Sequence, residues 1–144
     1  MSAVDSGPSA SAHRHGLVTW RPLPGKGRGV VALRDCPAGT EVERAPVIVV
    51  PKADLLVRAG GRTVLDEYLL YWSDEPGREA AMGGGLLMFY NHGNDPNVEF
   101  RDGPEPETMS VVTLRAVAEG EELTYDYGIP LWFAPLPTTR PTAP

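Results

Sequence analysis

From Leu17 onward the apolar residues come in short runs, each ended within a few positions by glycine or proline. With 16 Gly and 15 Pro in 144 residues, such a chain favours many short strands joined by tight turns over long helices. The expected fold class is therefore mainly β. Strands are expected over residues 17–20, 29–32, 41–45, 46–50, 98–101, 109–116 and 123–127. Residues 52–59 offer one or two helical turns ended by Gly60-Gly61, and the aromatic-rich run 64–72 reads as a strand. Gly83-Gly84-Gly85 lets the backbone pack closely before the apolar run 86–90, read as a strand whose end delivers the polar residues that follow.

This length suits one domain with its own core. Residues 1–15 read as a disordered tail, 16–134 as the folded domain and 135–144 as a flexible proline-rich tail. His13 and His15 stand in the first tail without a nearby carboxylate or cysteine, so no metal site is expected. The single cysteine, Cys36, excludes an internal disulfide and a multi-cysteine zinc cage, and reads as a half-buried small hydrophobe. A formal net charge of −6 argues against holding nucleic acid through its phosphates and suits a cationic partner. No apolar stretch approaches the ~20 residues that span a bilayer, and the N-terminus lacks a signal-peptide core. The expectation is a soluble, intracellular, cytoplasmic protein.

Two polar clusters carry the chemistry. Tyr90-Asn91-His92-Gly93-Asn94-Asp95-Pro96-Asn97 and Gly120-Glu121-Glu122-Leu123-Thr124-Tyr125-Asp126-Tyr127-Gly128 each follow an apolar run, as strand ends converging on one site would. Asn91 offers donors and acceptors, and His92 can fix a neighbour through either ring nitrogen. A polar turn capping its own backbone explains the first cluster about as well. Glu121 and Glu122 read as a solvated turn leading into a strand, on which Tyr125 and Tyr127 share a face. Gly25-Lys26-Gly27-Arg28-Gly29 lets main-chain groups approach a ligand. It matches neither a phosphate loop nor a dinucleotide fingerprint, and a hairpin turn also explains it. No Ser/His/Asp pattern supports hydrolysis.

Taken in order, Gly27-Arg28-Gly29, Asn91-His92 with Pro96-Asn97, and Gly120 through Tyr127 resemble the SET-domain protein lysine methyltransferases. The likeness runs over about residues 17–132 and is closest to the minimal, single-domain SET proteins of bacteria and viruses, some of which pair as homodimers. It implies several small twisted sheets, with the segment bearing Tyr125 and Tyr127 threaded beneath a loop near Asn91-His92 as a pseudoknot. It also implies S-adenosyl-L-methionine as methyl donor. Lys26, Gly27, Arg28 and Gly29 would give the donor's methionine part main-chain contacts, Asn91 and His92 would bind its amino and adenine portions, and Trp132 would stack near the adenine or wall the lysine channel. Tyr127 matches the catalytic tyrosine. Tyr125 falls where the family carries Phe or Tyr, a Tyr there favouring monomethylation.

Two departures stand out. Where family members commonly read Arg-Phe-Ile-Asn-His-Ser-Cys, this chain has Met88-Phe89-Tyr90-Asn91-His92-Gly93-Asn94, without the Arg and the Ser. The cysteine-rich zinc segment that often follows the domain is also missing, leaving Ile129 to Phe133 to close the site. The resemblance implies a basic, lysine-containing protein or peptide as partner, with neither nucleic acid nor membrane. Pairing of two copies through apolar residues in the C-terminal tail or around Tyr68-Leu69-Leu70-Tyr71-Trp72 is a further expectation. The alternative is a catalytically inactive SET-like module that binds a peptide or the cofactor without turnover.

Overall fold

The computed structural model describes residues 14–51, 53–54 and 68–126. Among the described residues nine strands form two sheets, after a 3-10 turn at Arg14–Leu17. The strands are β1 (Val18–Leu23), β2 (Gly27–Ala32), β3 (Glu41–Val50), β4 (Leu70–Tyr71), β5 (Ala80–Gly83), β6 (Asn91–His92), β7 (Val98–Asp102), β8 (Thr108–Thr113) and β9 (Glu122–Tyr125). One sheet runs β1-β2-β9-β6 and the other β4-β5-β3-β8-β7. Among the described residues no helix is long and apolar enough to cross a membrane.

The mainly β expectation holds, with instructive differences in detail. Glu41 to Val50 form one strand rather than two. Pro46 lacks an N–H, but it stands where the ladder passes from β8, which pairs through Pro46, to β5, which pairs from Val47. Residues 86–90 are not a strand: Leu87–Phe89 is a 3-10 turn. The glycine before it explains why. Gly85 has φ +55, and a Cβ there would lie 2.3 Å from the Glu43 carboxylate, which accepts the Leu86 N–H at 2.6 Å. Strand β5 escaped the sequence reading because Ala and Gly carry no β-branched signal. Of the run 64–72, only Leu70–Tyr71 is a strand among the described residues. Leu69 and Leu70 are buried, whereas Tyr68, Tyr71 and Trp72 are half-buried. The predicted helix keeps Ala53 and Asp54 as helical residues, and its remaining positions, like residues 1–13, lie outside those described.

A bulge in β3 decides what reaches the interior. Pairing with β8 skips Val42, matching Glu41 to Val112 and Glu43 to Val111. The extra residue lets Val42 and Glu43 both turn inward, against strict strand alternation. Val42 is fully buried and Glu43 nearly so, in a core of Val30, Leu87, Tyr90, Val111 and Leu123. Cys36 is buried as well, more deeply than expected, and desolvation raises its thiol pKa.

Candidate active site

The two polar clusters meet. β6 and β9 pair in parallel, with Asn91 opposite Thr124 and His92 opposite Tyr125. β9 is itself flanked on its other edge by β2, Val30 opposite Leu123. The last strand is thus inserted between two earlier ones, in the manner of the expected pseudoknot. Asn97 holds it there. Its Nδ2 donates to the Glu122 carbonyl at 2.8 Å and its Oδ1 accepts the Thr124 N–H at 2.9 Å. Its N–H donates to the Thr124 carbonyl at 3.1 Å, and Gly93 N–H reaches the Tyr125 carbonyl at 3.1 Å. Asn97 therefore binds a strand distant in sequence rather than its own turn.

On the β2 side of this pair Asn91 Nδ2 donates to the Arg28 carbonyl at 2.9 Å and to Glu122 Oε2 at 2.8 Å. The other oxygen of Glu122 accepts Lys26 Nζ at 2.6 Å. Gly29 packs beneath: a Cβ on it would come within 2.5 Å of Leu23 Cδ1, 2.7 Å of Glu122 Oε2 and 2.8 Å of Asn91 Nδ2. The Arg28 guanidinium lies over the Phe89 ring, 4.7 Å from its centroid, a cation–π contact that fixes the loop from its other side. Glu122 is accordingly no solvated turn residue. It begins β9, and its side chain is only 18% exposed, because threading β9 between β2 and β6 carries it into the site. Glu121 closes the preceding turn. It accepts the Ala118 N–H at 3.0 Å and Arg115 Nη1 at 3.1 Å, and that backbone bond, with help from Arg115 and Asn97, lowers its pKa.

On the opposite side a cavity of about 380 Å³ is lined by the aromatic rings of Tyr68, Tyr71, Tyr90, Phe100 and Tyr125, with Glu99 and Asp126 contributing carboxylates. The rings are ordered by contact. Phe100 stacks on Tyr125 at 4.0 Å between centroids and 11° between planes, and meets Tyr90 edge-on at 5.3 Å. Tyr90 OH donates to Glu43 Oε1 at 2.7 Å. Burial, and then the adjacent Glu43 charge, push the Tyr90 phenol well above its ordinary pKa, so it remains a donor. One buried carboxylate thereby fixes both Leu86, at the head of the turn leading to Asn91, and the aromatic series ending at Tyr125. Tyr71, bonded to Asp74, has its pKa pushed up to about 12.

The structure brings together Lys26, Gly27, Arg28, Gly29, Asn91 and, across the strand pair, Tyr125. His92 stands at the rim, Nε2 3.3 Å from Asn94 Oδ1 and Nδ1 3.9 Å from Asp126 Oδ1. Tyr127 and Trp132 lie outside the described residues. Sequence reasoning missed Glu43, Phe89, Phe100 and Glu122. Glu43 had no signal of its own, since only the bulge buries it. The missing Ser at Gly93 has a local explanation: a Cβ there would lie 2.3 Å from Thr124 Oγ1 and 2.7 Å from Thr124 Cβ.

The chain is similar to known proteins. The family model described as "SET domain" matches residues 27–128. The chain is 39% identical over 108 residues, covering 75% of its own length and 71% of the relative's, to a Schizosaccharomyces pombe histone-lysine N-methyltransferase specific for H3 lysine-37. A Plasmodium falciparum crystal structure, of a protein provisionally assigned as a histone methyltransferase, superposes with a TM-score of 0.61 at 19% identity, covering 81% of this chain and 96% of that one. At that identity the likeness is one of fold.

Proposed function

This chain belongs to the SET-domain family and is a protein-lysine methyltransferase; we propose that it takes its methyl group from S-adenosyl-L-methionine and delivers it to a lysine of a basic, histone-like protein. One observation carries the proposal. The strand pair β6–β9 has a polar cradle on one side, built from Asn91, Glu122 and the Arg28 carbonyl, and an aromatic cavity on the other.

The residues present fit such a donor. Main-chain carbonyl, amide, carboxylate and ammonium converge over a glycine that admits no side chain, which suits a small ligand with a charged amino-acid end. When bound, the donor would supply a methyl group on a sulfonium, open to in-line attack by a neutral lysine amine with the neutral thioether as leaving group. The protein's part is alignment and the exclusion of water, effects that supply much of the rate for such a displacement. The aromatic walls accept the methylene stem of lysine, and Glu99 and Asp126 attract its ammonium form. A free lysine has a pKa of ~10.4, so the amine must shed a proton before it attacks, and desolvation between rings favours that loss. In this reading the Tyr127 phenol orients the nitrogen lone pair where the two sides meet. Tyr125, held by Phe100, limits the space around the nitrogen and favours a monomethyl product. By the family resemblance His92 would border the donor's adenine, and Trp132, which lies outside the described residues, would stack near it or wall the lysine channel.

The test is methyl transfer from radiolabelled donor to core histones and to a cell lysate, with donor binding followed by calorimetry. Wild type is expected to bind and to label lysine, Asn91→Ala to lose donor affinity, and Tyr127→Phe to bind donor but transfer poorly. Labelling undiminished in Tyr127→Phe would overturn the role given to that phenol. Absence of any donor binding would overturn the whole proposal.

A further inference from the structure

We propose that Glu43 is a positioning residue for methyl transfer, a buried carboxylate that sets the donor side and the lysine side of the site through separate oxygens; the proposal rests on the donor reading above. Glu43 lies on β3, in the other sheet from β6 and β9. It is not part of the cavity lining, so it acts on the reaction through its neighbours. Its Oε2 accepts the Leu86 N–H at 2.6 Å, at the head of the 3-10 turn Leu87–Phe89. Phe89 N–H closes that turn on the Leu86 carbonyl at 2.8 Å, so the Glu43 contact sets where Phe89 stands. The Phe89 ring carries the Arg28 guanidinium, and the Arg28 carbonyl receives Asn91. Oε2 thereby governs the polar cradle. Oε1 accepts Tyr90 OH at 2.7 Å. Tyr90 meets Phe100 edge-on and Phe100 stacks on Tyr125, all three lining the cavity. Oε1 thereby governs the lysine walls.

Burying a carboxylate is expensive, and an apolar side chain would fill this place at less cost. What the carboxylate adds is direction. Its oxygens share one carbon, so neither donor shifts without moving the other, and bonds to a charged acceptor away from water are stronger than neutral ones. The backbone is wrapped against it without slack: Gly85 takes φ +55, and a Cβ there would lie 2.3 Å from Oε2. Such bracing matters for an in-line displacement, because the donor methyl and the attacking amine arrive from opposite sides of β6–β9. A misplacement of about 1 Å between them costs roughly a hundredfold in rate.

Steady-state methylation of core histones and calorimetry with S-adenosylhomocysteine test this, run on the whole chain below the melting temperature of each variant. Glu43→Leu removes both contacts and is expected to lower kcat/KM for histones by up to about a hundredfold and to weaken S-adenosylhomocysteine about tenfold. Glu43→Gln keeps an acceptor for Leu86 and a polar partner for Tyr90, and is expected to recover most of both losses. Variants of one arm divide them. Tyr90→Phe is expected to lower kcat/KM for histones up to about tenfold with S-adenosylhomocysteine affinity unchanged. Gly85→Ala, which crowds Oε2, is expected to weaken S-adenosylhomocysteine about tenfold with KM for histones unchanged. These two suffice even if Glu43→Leu does not fold. Folded variants with wild-type kcat, KM and S-adenosylhomocysteine affinity would make Glu43 a brace for stability alone and overturn the proposal. Equal losses on both sides from either variant of one arm would overturn it too. Wild type that binds no S-adenosylhomocysteine, or labels no histone, overturns the reading beneath and the proposal with it, a result seen before any variant is compared.

Discussion

Placing at Gly93 the Ser that SET-domain proteins commonly carry there should damage this protein. The backbone at Gly93 is not left-handed, so only space opposes Gly93→Ser. A Cβ would meet Thr124 Oγ1 at 2.3 Å, Thr124 Cβ at 2.7 Å and Thr124 Cγ2 at 3.3 Å. Rotating Thr124 relieves the first contact but not the second, because Cβ is fixed to the backbone of β9. The strands must therefore separate. Overpacking of this kind costs about 1–3 kcal/mol. Lengthening the Gly93–Tyr125 and Asn97–Thr124 main-chain bonds, each 3.1 Å, adds up to about 1 kcal/mol apiece. A total near 2–4 kcal/mol corresponds to a fall in Tm of roughly 5–15 °C for a domain of this size. Differential scanning calorimetry measures it directly. Adding Thr124→Ala removes Oγ1 and Cγ2 but keeps Cβ, so the double variant should recover about half of the loss. If Gly93→Ser melts with wild type, the crowding argument is wrong, and the family Ser was lost for some other reason.

Tyr90→Phe deprives buried Glu43 of one donor. Chemical denaturation should report a loss of about 1–3 kcal/mol, and an unchanged midpoint would show that the carboxylate does not depend on this phenol. Phe100→Leu removes the ring that stacks on Tyr125. Kinetics should show kcat/KM for peptide falling up to about tenfold, as expected for an aromatic pair, with donor affinity preserved; equal losses in both would place the ring in the scaffold. Tyr125→Phe should shift products toward higher methylation states by mass spectrometry, and an unaltered product distribution would refute its role in limiting space. Glu121 has a lowered folded pKa, so the stability it adds is present above its unfolded value and disappears as pH falls through the folded one. Wild type should therefore melt above Glu121→Gln at pH 7, with the two curves converging in acid; a gap that persists at low pH would refute the assignment.

Much of this was legible because strands and turns write themselves locally. Alternation and turn residues located β1, β2, β7, β8 and β9 to within a few positions, and the order of the motifs indicated which segments meet. What depended on distant partners was not legible. Glu43 becomes a buried brace only because a bulge in β3 turns it inward, and a bulge has no residue signature here. Glu122 looked like part of an acidic surface turn until β9 was seated between β2 and β6. Residues 86–90 looked like a strand because apolarity alone does not distinguish a strand from a buried 3-10 turn; the Glu43 carboxylate waiting for the Leu86 N–H makes the choice.

The placement of β9 between β2 and β6 also governs when the enzyme can come into being. A nascent chain on the ribosome can close the β1–β2 hairpin early, from neighbours in sequence. Its first sheet, however, has a gap at the centre until residues 122–125 have been synthesised. Contacts of such long sequence separation form late and slowly. The strand pair that unites the two polar clusters therefore forms only after residues 122–125 have been made, and a translation product halted before Glu122 lacks it.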